Sequence, residues 1–329
     1  MTEERYLVTG SSGCIGAWTV KNLVQEGVDV AAFDRSVDQH RLRLLLSPQE
    51  IESIQSYCGD VANFEDVMRT FESFQPTHVI HLAAMQLPFC KADPIQGALV
   101  NVVGTVNMFE AVKRSALKML VYASSTAVYG RADEYPQAPL AHDADLNPHS
   151  HYGVYKVANE GNAKVYWQDD GIASIGLRPY TVYGAGRDQG LTSTPTKAML
   201  AAAVDRPYHI SYGGRCAFQY GDDTGKIFIM ASRTSFAGAE VFNIGGESVS
   251  VPGVIEAIEH SEPAMQGKIT FNDQPLPFPP DVDNQELVRV LGPLPNTSLL
   301  DGVKETIDIY SAAVNDGSIP MADVEAILA

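Results

Sequence analysis

The amino-acid sequence predicts an α/β protein built on a doubly wound parallel β-sheet, followed by a smaller second domain. Three observations lead to this fold class. Short apolar runs alternate with helical stretches, a glycine-rich turn follows the first run, and the alternation loosens after Gly184. Continuous apolar runs fit parallel strands that helices cover on both faces. Regular strand–helix alternation is how such a sheet is assembled.

Six apolar runs are predicted to form buried strands. Each is short and bounded by polar or glycine residues, as expected for strands rather than core helices. In chain order they are RYLVTG (5–10), DVAAFDR (29–35), IQSYCGD (54–60), THVIHLAA (77–84), KMLVYASS (118–125) and ASIGLRPYTVYG (173–184).

Helices are predicted between these strands. The stretch 14–27 ends at Gly27, a residue type that often stops a helix, and a second helix is expected over 98–116. The methionines of 98–116 and of a further helix, 195–204, are interpreted as core or dimer-face residues rather than cofactor contacts.

A change of pattern divides the chain into two predicted domains. Residues 1–180 hold the strand–helix alternation and are predicted to bind a nucleotide. Residues 181–329 have shorter elements and Pro-rich loops, notably QPLPFPPDVD (274–283), and are predicted to form a smaller substrate-binding domain over the sheet's carboxyl edge. Some crossing of the chain between the two is expected.

Composition excludes several classes of partner. The chain has 329 residues, 40 acidic and 23 basic, giving a net charge of −17. Such a surface repels nucleic acid and anionic membranes, so neither is expected as a partner. Four scattered cysteines without a C-x-x-C pair indicate reduced thiols, and the acidic N-terminus is unlike a signal peptide. We expect a cytoplasmic protein without a membrane span or a bound metal.

The glycine-rich turn VTGSSGCIG (8–16) predicts a dinucleotide site. Gly10, Gly13 and Gly16 follow the first strand and open the first helix. Glycine permits the tight turn and the close approach of backbone to a pyrophosphate, and the helix N-terminus offers free N–H groups to the phosphates.

Acidic residues at two later strand ends bear on the choice of cofactor. Asp34 stands where a carboxylate can accept hydrogen bonds from the adenosine ribose, and it would repel a 2′-phosphate. NAD is therefore favoured over NADP, although Arg35 next to it could accommodate the phosphate and Asp34 could be an ordinary turn residue. Asp60 could reach the adenine or cap the helix that starts near Asn63.

Tyr152 stands four residues before Lys156 in HSHYGVYK (149–156). On a helix this spacing places both side chains on one face, where a cation lowers the pKa of a phenol and suits it to proton transfer. The plain alternative is a solvated helix face.

Several further motifs occur in one order along the chain. With TGSSGCIG, HLAA (81–84), SSTAVYG (124–130) and Y-x-x-x-K, the sequence resembles the extended short-chain dehydrogenases/reductases. More narrowly it resembles their NAD-dependent epimerase/dehydratase group, over almost its full length. The resemblance implies a Rossmann sheet, bound NAD and hydride transfer at a secondary alcohol of a sugar, sugar acid or related hydroxy compound.

The resemblance also implies roles for individual residues. Tyr152 would be the general acid/base, Lys156 would hold the nicotinamide ribose and lower the tyrosine pKa, and Ser125 would bind the reacting oxygen, unless it only satisfies a backbone group. The implied cofactor contacts are Gly10, Gly13, Cys14, Ile15, Gly16, Asp34, Arg35, Asp60, Val61, Leu82, Ala83, Ala84, Lys156 and Pro179. The implied substrate contacts are Gln86, Ser125, Thr126, Tyr152, Thr181, Arg187 and Arg215.

Departures from the group's pattern bear on the substrate. Thr126 and Ala127 replace the Asp-Glu pair of the group's 4,6-dehydratases, which argues against dehydration. Cys216 replaces an arginine that grips the diphosphate in nucleotide-sugar epimerases, and the loop 271–281 contains no second arginine. Arg187 and Arg215 could instead face a carboxylate.

Three hypotheses follow. The first is an NAD-dependent oxidoreductase of a small carbohydrate-like compound. The second is a nucleotide-sugar 4-epimerase of the uronic-acid type with tightly held NAD. The third, a non-catalytic NAD-sensing module, is opposed by the intact Ser125, Tyr152 and Lys156. By resemblance, a homodimer is expected through the helix of Tyr152 and the helix at 98–116.

Overall fold

The computed structural model describes residues 4–36, 38–136 and 138–329. A seven-stranded sheet lies at its centre, with every strand parallel to its neighbours in the order β10-β6-β5-β4-β1-β2-β3. The predicted doubly wound fold is confirmed. The strands are β1 Arg5–Thr9, β2 Asp29–Asp34, β3 Gln55–Cys58, β4 His78–His81, β5 Met119–Ala123, β6 Ala173–Arg178, β7 Thr181–Tyr183, β8 Tyr208–Ile210, β9 Arg215–Tyr220, β10 Ala239–Asn243, β11 Glu247–Ser250 and β12 Ile269–Phe271.

Helices cover both faces of this sheet. The α-helices of the described residues, including those of the second region, are α1 Cys14–Gln25, α2 His40–Leu45, α3 Pro48–Glu52, α4 Phe64–Phe74, α5 Leu87–Ala92, α6 Pro94–Ala98, α7 Gly104–Arg114, α8 His151–Asp170, α9 Thr194–Ala203, α10 Gly221–Arg233, α11 Val251–Ser261, α12 Gln285–Leu291, α13 Leu299–Asn315 and α14 Met321–Leu328.

Neighbouring residues of β1 show why its sequence is continuously apolar. Tyr6 and Val8 pack into the core on one side of the sheet, and Leu7 packs into the core on the other. All three are at most 1% exposed. Because successive side chains point to opposite faces, a strand that helices cover on both sides needs apolar residues at every position.

The predicted strand 173–184 is wrong in its length. It divides into β6 and β7, and β7 joins β9 and β11 in a separate three-stranded sheet. Pro179 has no N–H to continue the ladder, and the N–H of Tyr180 is taken by the side chain of Gln219. The chain therefore leaves the large sheet directly after Arg178.

The predicted helix 98–116 belongs to a longer helical stretch. It starts at Pro94, where the Asp93 side chain accepts a hydrogen bond from Gln96 N, passes through a π-helical turn at Leu99–Val103 and ends at Arg114. Ala116 has a φ of 55°, which an α-helix cannot contain. The first predicted helix ends at Gln25, two residues before Gly27, whose φ is 75°.

The second half of the chain crosses back onto the first. Although β10 and α10 lie after residue 181, β10 forms the edge of the large sheet beside β6, and α10 packs against α1. The β7-β9-β11 sheet and helices α9, α11 and α13 form a separate core, whereas Leu287 of α12 packs into the core of the large sheet. Division into two domains at residues 180 and 181 stays a prediction.

The stretch Pro94–Arg114 is long and apolar enough, by length and composition alone, to cross a membrane. In this structure it packs against α4 and α8, and 44% of its most apolar window is buried. A core helix of a globular protein meets the same length and composition criteria.

Candidate active site

The glycine turn after β1 leaves no space for side chains. Gly10 has a φ of 69°, and a Cβ on it would lie 2.5 Å from the backbone nitrogen of Ala83. A Cβ on Gly16 would overlap the carbonyl of Gly10. Helix α1 starts here without a side-chain cap, and its first residues, Cys14, Ile15 and Gly16, line the cavity described below. Bare N–H groups at a helix N-terminus fit the phosphates of a dinucleotide.

Asp34 lies beside the glycine turn at the end of β2. Its carboxylate accepts a hydrogen bond from Ser12 N at 3.0 Å, which ties the second strand to the glycine turn. Asp60 accepts from Ala62 N, and Asn63 rather than Asp60 caps α4. Asp60 also faces the cavity, so the position expected for an adenine contact remains available.

One cavity of about 710 Å³ extends along the carboxyl edge of the large sheet. All the predicted cofactor residues line it, as do Gln86, Ser125, Thr126, Tyr152 and Arg187 among the predicted substrate residues. Parallel α/β sheets bind ligands at this edge. A volume of this size is typical of small-molecule and cofactor sites.

Two predicted substrate residues lie elsewhere. Thr181 is fully buried and donates a hydrogen bond to the Cys216 sulfur at 3.4 Å. Arg215 is exposed at the start of β9 and donates to the carbonyl of Ser248. Neither lines the cavity. The sequence could not show which of Arg187 and Arg215 lines the cavity, because that depends on how residues 181–329 fold against the large sheet.

Tyr152, Lys156 and Ser125 meet at the centre of the cavity. Helix α8 starts at His151, with Ser150 as its N-cap, so Tyr152 and Lys156 lie on adjacent turns of one face. The Lys156 ammonium lies 5.6 Å from the centre of the Tyr152 ring and donates to the carbonyl of Ala123 at 2.6 Å. Ser125 accepts a hydrogen bond from Ala127 N, and its hydroxyl faces Tyr152. Ser125 therefore both accepts a hydrogen bond from a backbone N–H and faces the Tyr152 hydroxyl.

Burial is the main cause of the pKa shifts of Lys156 and Tyr152. It lowers the pKa of Lys156 to about 8, while the neighbouring Cys90 and Glu160 raise it. Burial raises the pKa of Tyr152, against the lowering effects of Ser125 and Arg187. The expectation that Lys156 lowers the Tyr152 pKa is therefore not met in this structure, because desolvation of the phenol outweighs the charges near it.

A buried network that the sequence did not reveal supports this site. Glu160, one turn beyond Lys156 on α8, accepts hydrogen bonds from the Ser124 hydroxyl and from Arg178. Arg178 also donates to the hydroxyl of Tyr129. Glu160 continues the four-residue spacing of Tyr152 and Lys156, and this repeat is the one sequence signal that could have identified it.

A second group outside the sequence prediction lies at the mouth of the cavity. His40 and Arg41 from α2 both pair with Asp188, and Phe89, Gln96 and Phe278 complete the wall. Arg41 and Asp188 are 147 positions apart in the chain, so no local pattern joins them. Phe278 comes from the Pro-rich segment 274–283, which the fold brings over the cavity.

Known proteins of similar sequence and structure include sugar-nucleotide epimerases. UDP-glucose 4-epimerase of Mycolicibacterium smegmatis is 28% identical, over 93% of this chain and 98% of that protein. UDP-glucuronate 4-epimerase of Thermodesulfobacterium geofontis is 27% identical, over 92% and 95%. The crystal structure of Thermus thermophilus UDP-glucose 4-epimerase in complex with NAD superimposes with a TM-score of 0.78 and 26% identity, over 94% of this chain and all of that one.

The glycine turn and the tyrosine–lysine pair line one cavity at the edge of a doubly wound sheet, and a long second region follows this sheet. Together these features define an extended short-chain dehydrogenase/reductase. The model of the NAD-dependent epimerase/dehydratase family matches residues 6–245. The chain therefore belongs to the NAD-dependent epimerase/dehydratase family, and its cofactor is NAD.

Proposed function

We propose that this enzyme oxidises a secondary alcohol of a small polyhydroxylated acid, or reduces the corresponding ketone, without a nucleotide diphosphate on the substrate. The observation that carries the proposal is the state of Arg187. Arg187 lines the cavity, and within the described residues only one of its two terminal nitrogens has a hydrogen-bond partner, Thr192. A guanidinium with an unused donor at the wall of a cavity is suited to bind a carboxylate.

The other cations that line the cavity are less suited to that role. Arg41 is fully engaged with Ser12, Gly186 and Asp188, and Lys156 is occupied beside Tyr152. Arg35 directly follows Asp34, at the adenosine end of the predicted cofactor site. Within the described residues, the substrate end of the cavity thus has one available cation, enough for a single carboxylate.

Cys216, a neutral residue, occupies the position at which an arginine would be expected to bind a diphosphate. Cys216 and Thr181 contact each other in the core, and burial raises the pKa of the Cys216 thiol to about 12. Each charge-assisted hydrogen bond contributes about 1.5–3 kcal/mol. A diphosphate without such partners would therefore lose orders of magnitude in affinity relative to one held by two arginines.

The residues around the reacting alcohol have distinct tasks. When bound, NAD supplies the hydride acceptor or donor at its nicotinamide ring. In its phenolate form Tyr152 takes the hydroxyl proton during oxidation, and in its phenol form it gives a proton to the ketone oxygen during reduction. Ser125 donates a hydrogen bond to the reacting oxygen while Ala127 N holds its side chain in place. Lys156, mostly protonated near pH 7 with a pKa of about 8, lies beside Tyr152 and offers its ammonium to the nicotinamide ribose.

A nucleotide-sugar 4-epimerase is the second candidate. It is favoured by the relatives that act on UDP-glucose or UDP-glucuronate, as their names state. The two candidates differ in how they use NAD, since an epimerase oxidises and re-reduces its substrate on one retained cofactor. Intact Ser125, Tyr152 and Lys156 at one point of the cavity oppose a purely NAD-sensing role.

The cofactor content of the purified protein distinguishes these candidates. The protein is denatured and the supernatant is assayed for NAD. The proposal predicts substoichiometric NAD in the supernatant and native protein that takes up NAD reversibly. One equivalent of non-exchanging NAD would instead support the epimerase.

A homodimer in the cytoplasm is part of the proposal. Ile95, Leu99, Val103 and Val154 are exposed apolar residues on α8 and the Pro94–Arg114 stretch, which pack side by side. A stripe of this kind is suited to bury itself against a second copy. The cytoplasmic location rests on four free cysteines, since disulfides are rare in that compartment. Light scattering after size-exclusion chromatography tests the dimer.

A further inference from the structure

Arg41 joins two segments that are distant in the sequence. Its Nε donates to the carbonyl of Gly186 at 2.8 Å, one terminal nitrogen donates to the carbonyl of Ser12, and the other pairs with the Asp188 carboxylate. Ser12 belongs to the phosphate-binding turn, and Gly186 and Asp188 belong to the loop after β7. All four residues line the cavity, so Arg41 bridges its two walls.

Asp188 is held from two directions. Its second oxygen lies 3.2 Å from Nε2 of His40, and its side chain is 8% exposed. Arg41 is similarly shielded, with 12% of its side chain exposed. Desolvation offsets much of the attraction in a buried ion pair, so its net stabilisation is small, but separating the partners leaves an uncompensated buried charge. The pair therefore fixes where the loop after β7 lies.

The backbone of that loop is shaped to accept Arg41. Gly186 has a φ of 86°, and a Cβ there would come within 3.2 Å of the Arg41 side-chain carbons. Two further glycines with positive φ, Gly184 and Gly190, bend the loop on either side. Glycine at these positions lets the loop follow the guanidinium closely without strain.

Arg187 lies between the two anchored residues. Gly186 and Asp188 are its chain neighbours, and both are bonded to Arg41. On the far side, a Cβ on Gly190 would meet the side chains of Gln86 and Arg187, so the loop lies directly against the opposite wall. Anchoring both neighbours restricts the orientation from which the Arg187 side chain enters the cavity.

We propose that Arg41 and Asp188 form a clasp that closes the loop after β7 over the phosphate-binding turn, slows release of the nicotinamide cofactor and holds Arg187 in place for the substrate. Both are positioning residues rather than catalytic ones. The effect on Arg187 rests on the proposed function. The effect on cofactor release does not depend on any substrate, so failure of one part can be distinguished from failure of the other.

Release of NADH is the direct readout. Protein loaded with NADH is mixed in a stopped-flow instrument with excess NAD, and the loss of nicotinamide fluorescence gives the dissociation rate. We expect Arg41→Gln and Asp188→Asn each to raise this rate about tenfold, the factor that corresponds to about 1.4 kcal/mol. The double variant should release NADH no more than twofold faster than either single variant, because both substitutions remove the same interaction between Arg41 and Asp188.

Two further variants complete the experiment. Arg43→Gln removes an exposed arginine of the same helix that does not line the cavity, and it should release NADH at the wild-type rate. Arg41→Lys keeps a cation but cannot reach Ser12, Gly186 and Asp188 together, so an intermediate rate is expected, and this variant decides the matter if Asp188→Asn does not fold. Rates within twofold of wild type for Arg41→Lys and any folded Asp188→Asn would overturn the proposal, as would single effects that multiply in the double variant.

Discussion

The guanidinium of Arg178 lies 2.7 Å from the Glu160 carboxylate, and both side chains are at most 5% exposed. The pair links β6 to α8, the helix that carries Tyr152 and Lys156. The same carboxylate accepts from Ser124, the neighbour of Ser125. One buried ion pair therefore connects the supports of all three residues that we propose to be catalytic.

Replacing Glu160 by alanine should strongly destabilise the fold. Removal of one partner leaves the Arg178 charge buried and uncompensated, which costs about 3–5 kcal/mol. Urea denaturation of the variant and wild type measures the difference in free energy of unfolding. Glu286→Ala is the matched control, since its pair with Arg289 is on the surface and contributes at most about 1 kcal/mol. Equal losses in the two variants would contradict the assigned role of the buried pair.

Tyr152→Phe should retain the fold and NAD affinity but lose most turnover, because it removes only the proton-transfer hydroxyl. A loss of about 100-fold or more is expected for a general acid/base. Tyr155→Phe is the control on the same helix, since the Tyr155 hydroxyl donates to the Pro94 carbonyl and does not face the cavity. Near-normal turnover in Tyr152→Phe would remove this residue from the mechanism.

Arg187 and Arg215 should respond differently to the same substitution. Arg187→Gln should raise KM for the acidic substrate about tenfold or more, the effect of losing about 1.5–3 kcal/mol of charge-assisted bonding. Arg215→Gln should leave KM unchanged, because Arg215 lies outside the cavity. Steady-state kinetics of both variants provide the comparison. A larger effect at Arg215 would show that the substrate lies elsewhere.

Stability should fall with acid through His81. This residue is buried between the hydroxyls of Thr9 and Thr105, and burial lowers its pKa from 6.5 to about 3. Between these two pKa values, His81 binds a proton in the unfolded chain but not in the folded one. The contribution of His81 to the free energy of unfolding is therefore complete above pH 6.5 and is lost as pH falls from 6.5 towards 3. His81 should add up to about 1.4 kcal/mol per pH unit to the slope of the free energy of unfolding against pH.

Urea denaturation at several pH values between 6.5 and 4.5 measures this slope. His81→Gln should show a shallower loss of stability than wild type, and His209→Gln, which removes an exposed histidine, serves as the control. Parallel curves for wild type and His81→Gln would contradict the buried neutral state of His81.

Local sequence signals predicted most of the large sheet and many of the residues that line the cavity. The glycine turn, Asp34 and the Tyr152–Lys156 spacing each follow from backbone geometry or helical periodicity over a few residues. The break at Pro179 could have been foreseen, since proline lacks the N–H that a central strand requires. The apolar residues on both sides of it outweighed that signal in the prediction.

Long-range contacts lay beyond such reasoning. Arg41 and Asp188 come together only because the loop after β7 returns to α2. The sequence likewise gave no means of separating Arg187, which lines the cavity, from Arg215, which does not. The rise in the Tyr152 pKa depends on burial, a property of the assembled fold that residue spacing cannot convey.

The central claim is that the substrate carries no nucleotide diphosphate, and calorimetric titration with UDP, dTDP and GDP tests it most directly. Nucleotide-sugar enzymes derive much of their affinity from the diphosphate, so they bind the free nucleotide as well. With Cys216 and Thr181 buried against each other and Arg187 as the one available cation at the substrate end of the described cavity, we predict no measurable binding of any of the three nucleotides to NAD-loaded protein. Micromolar binding of any one of them would contradict the account and favour the nucleotide-sugar epimerase.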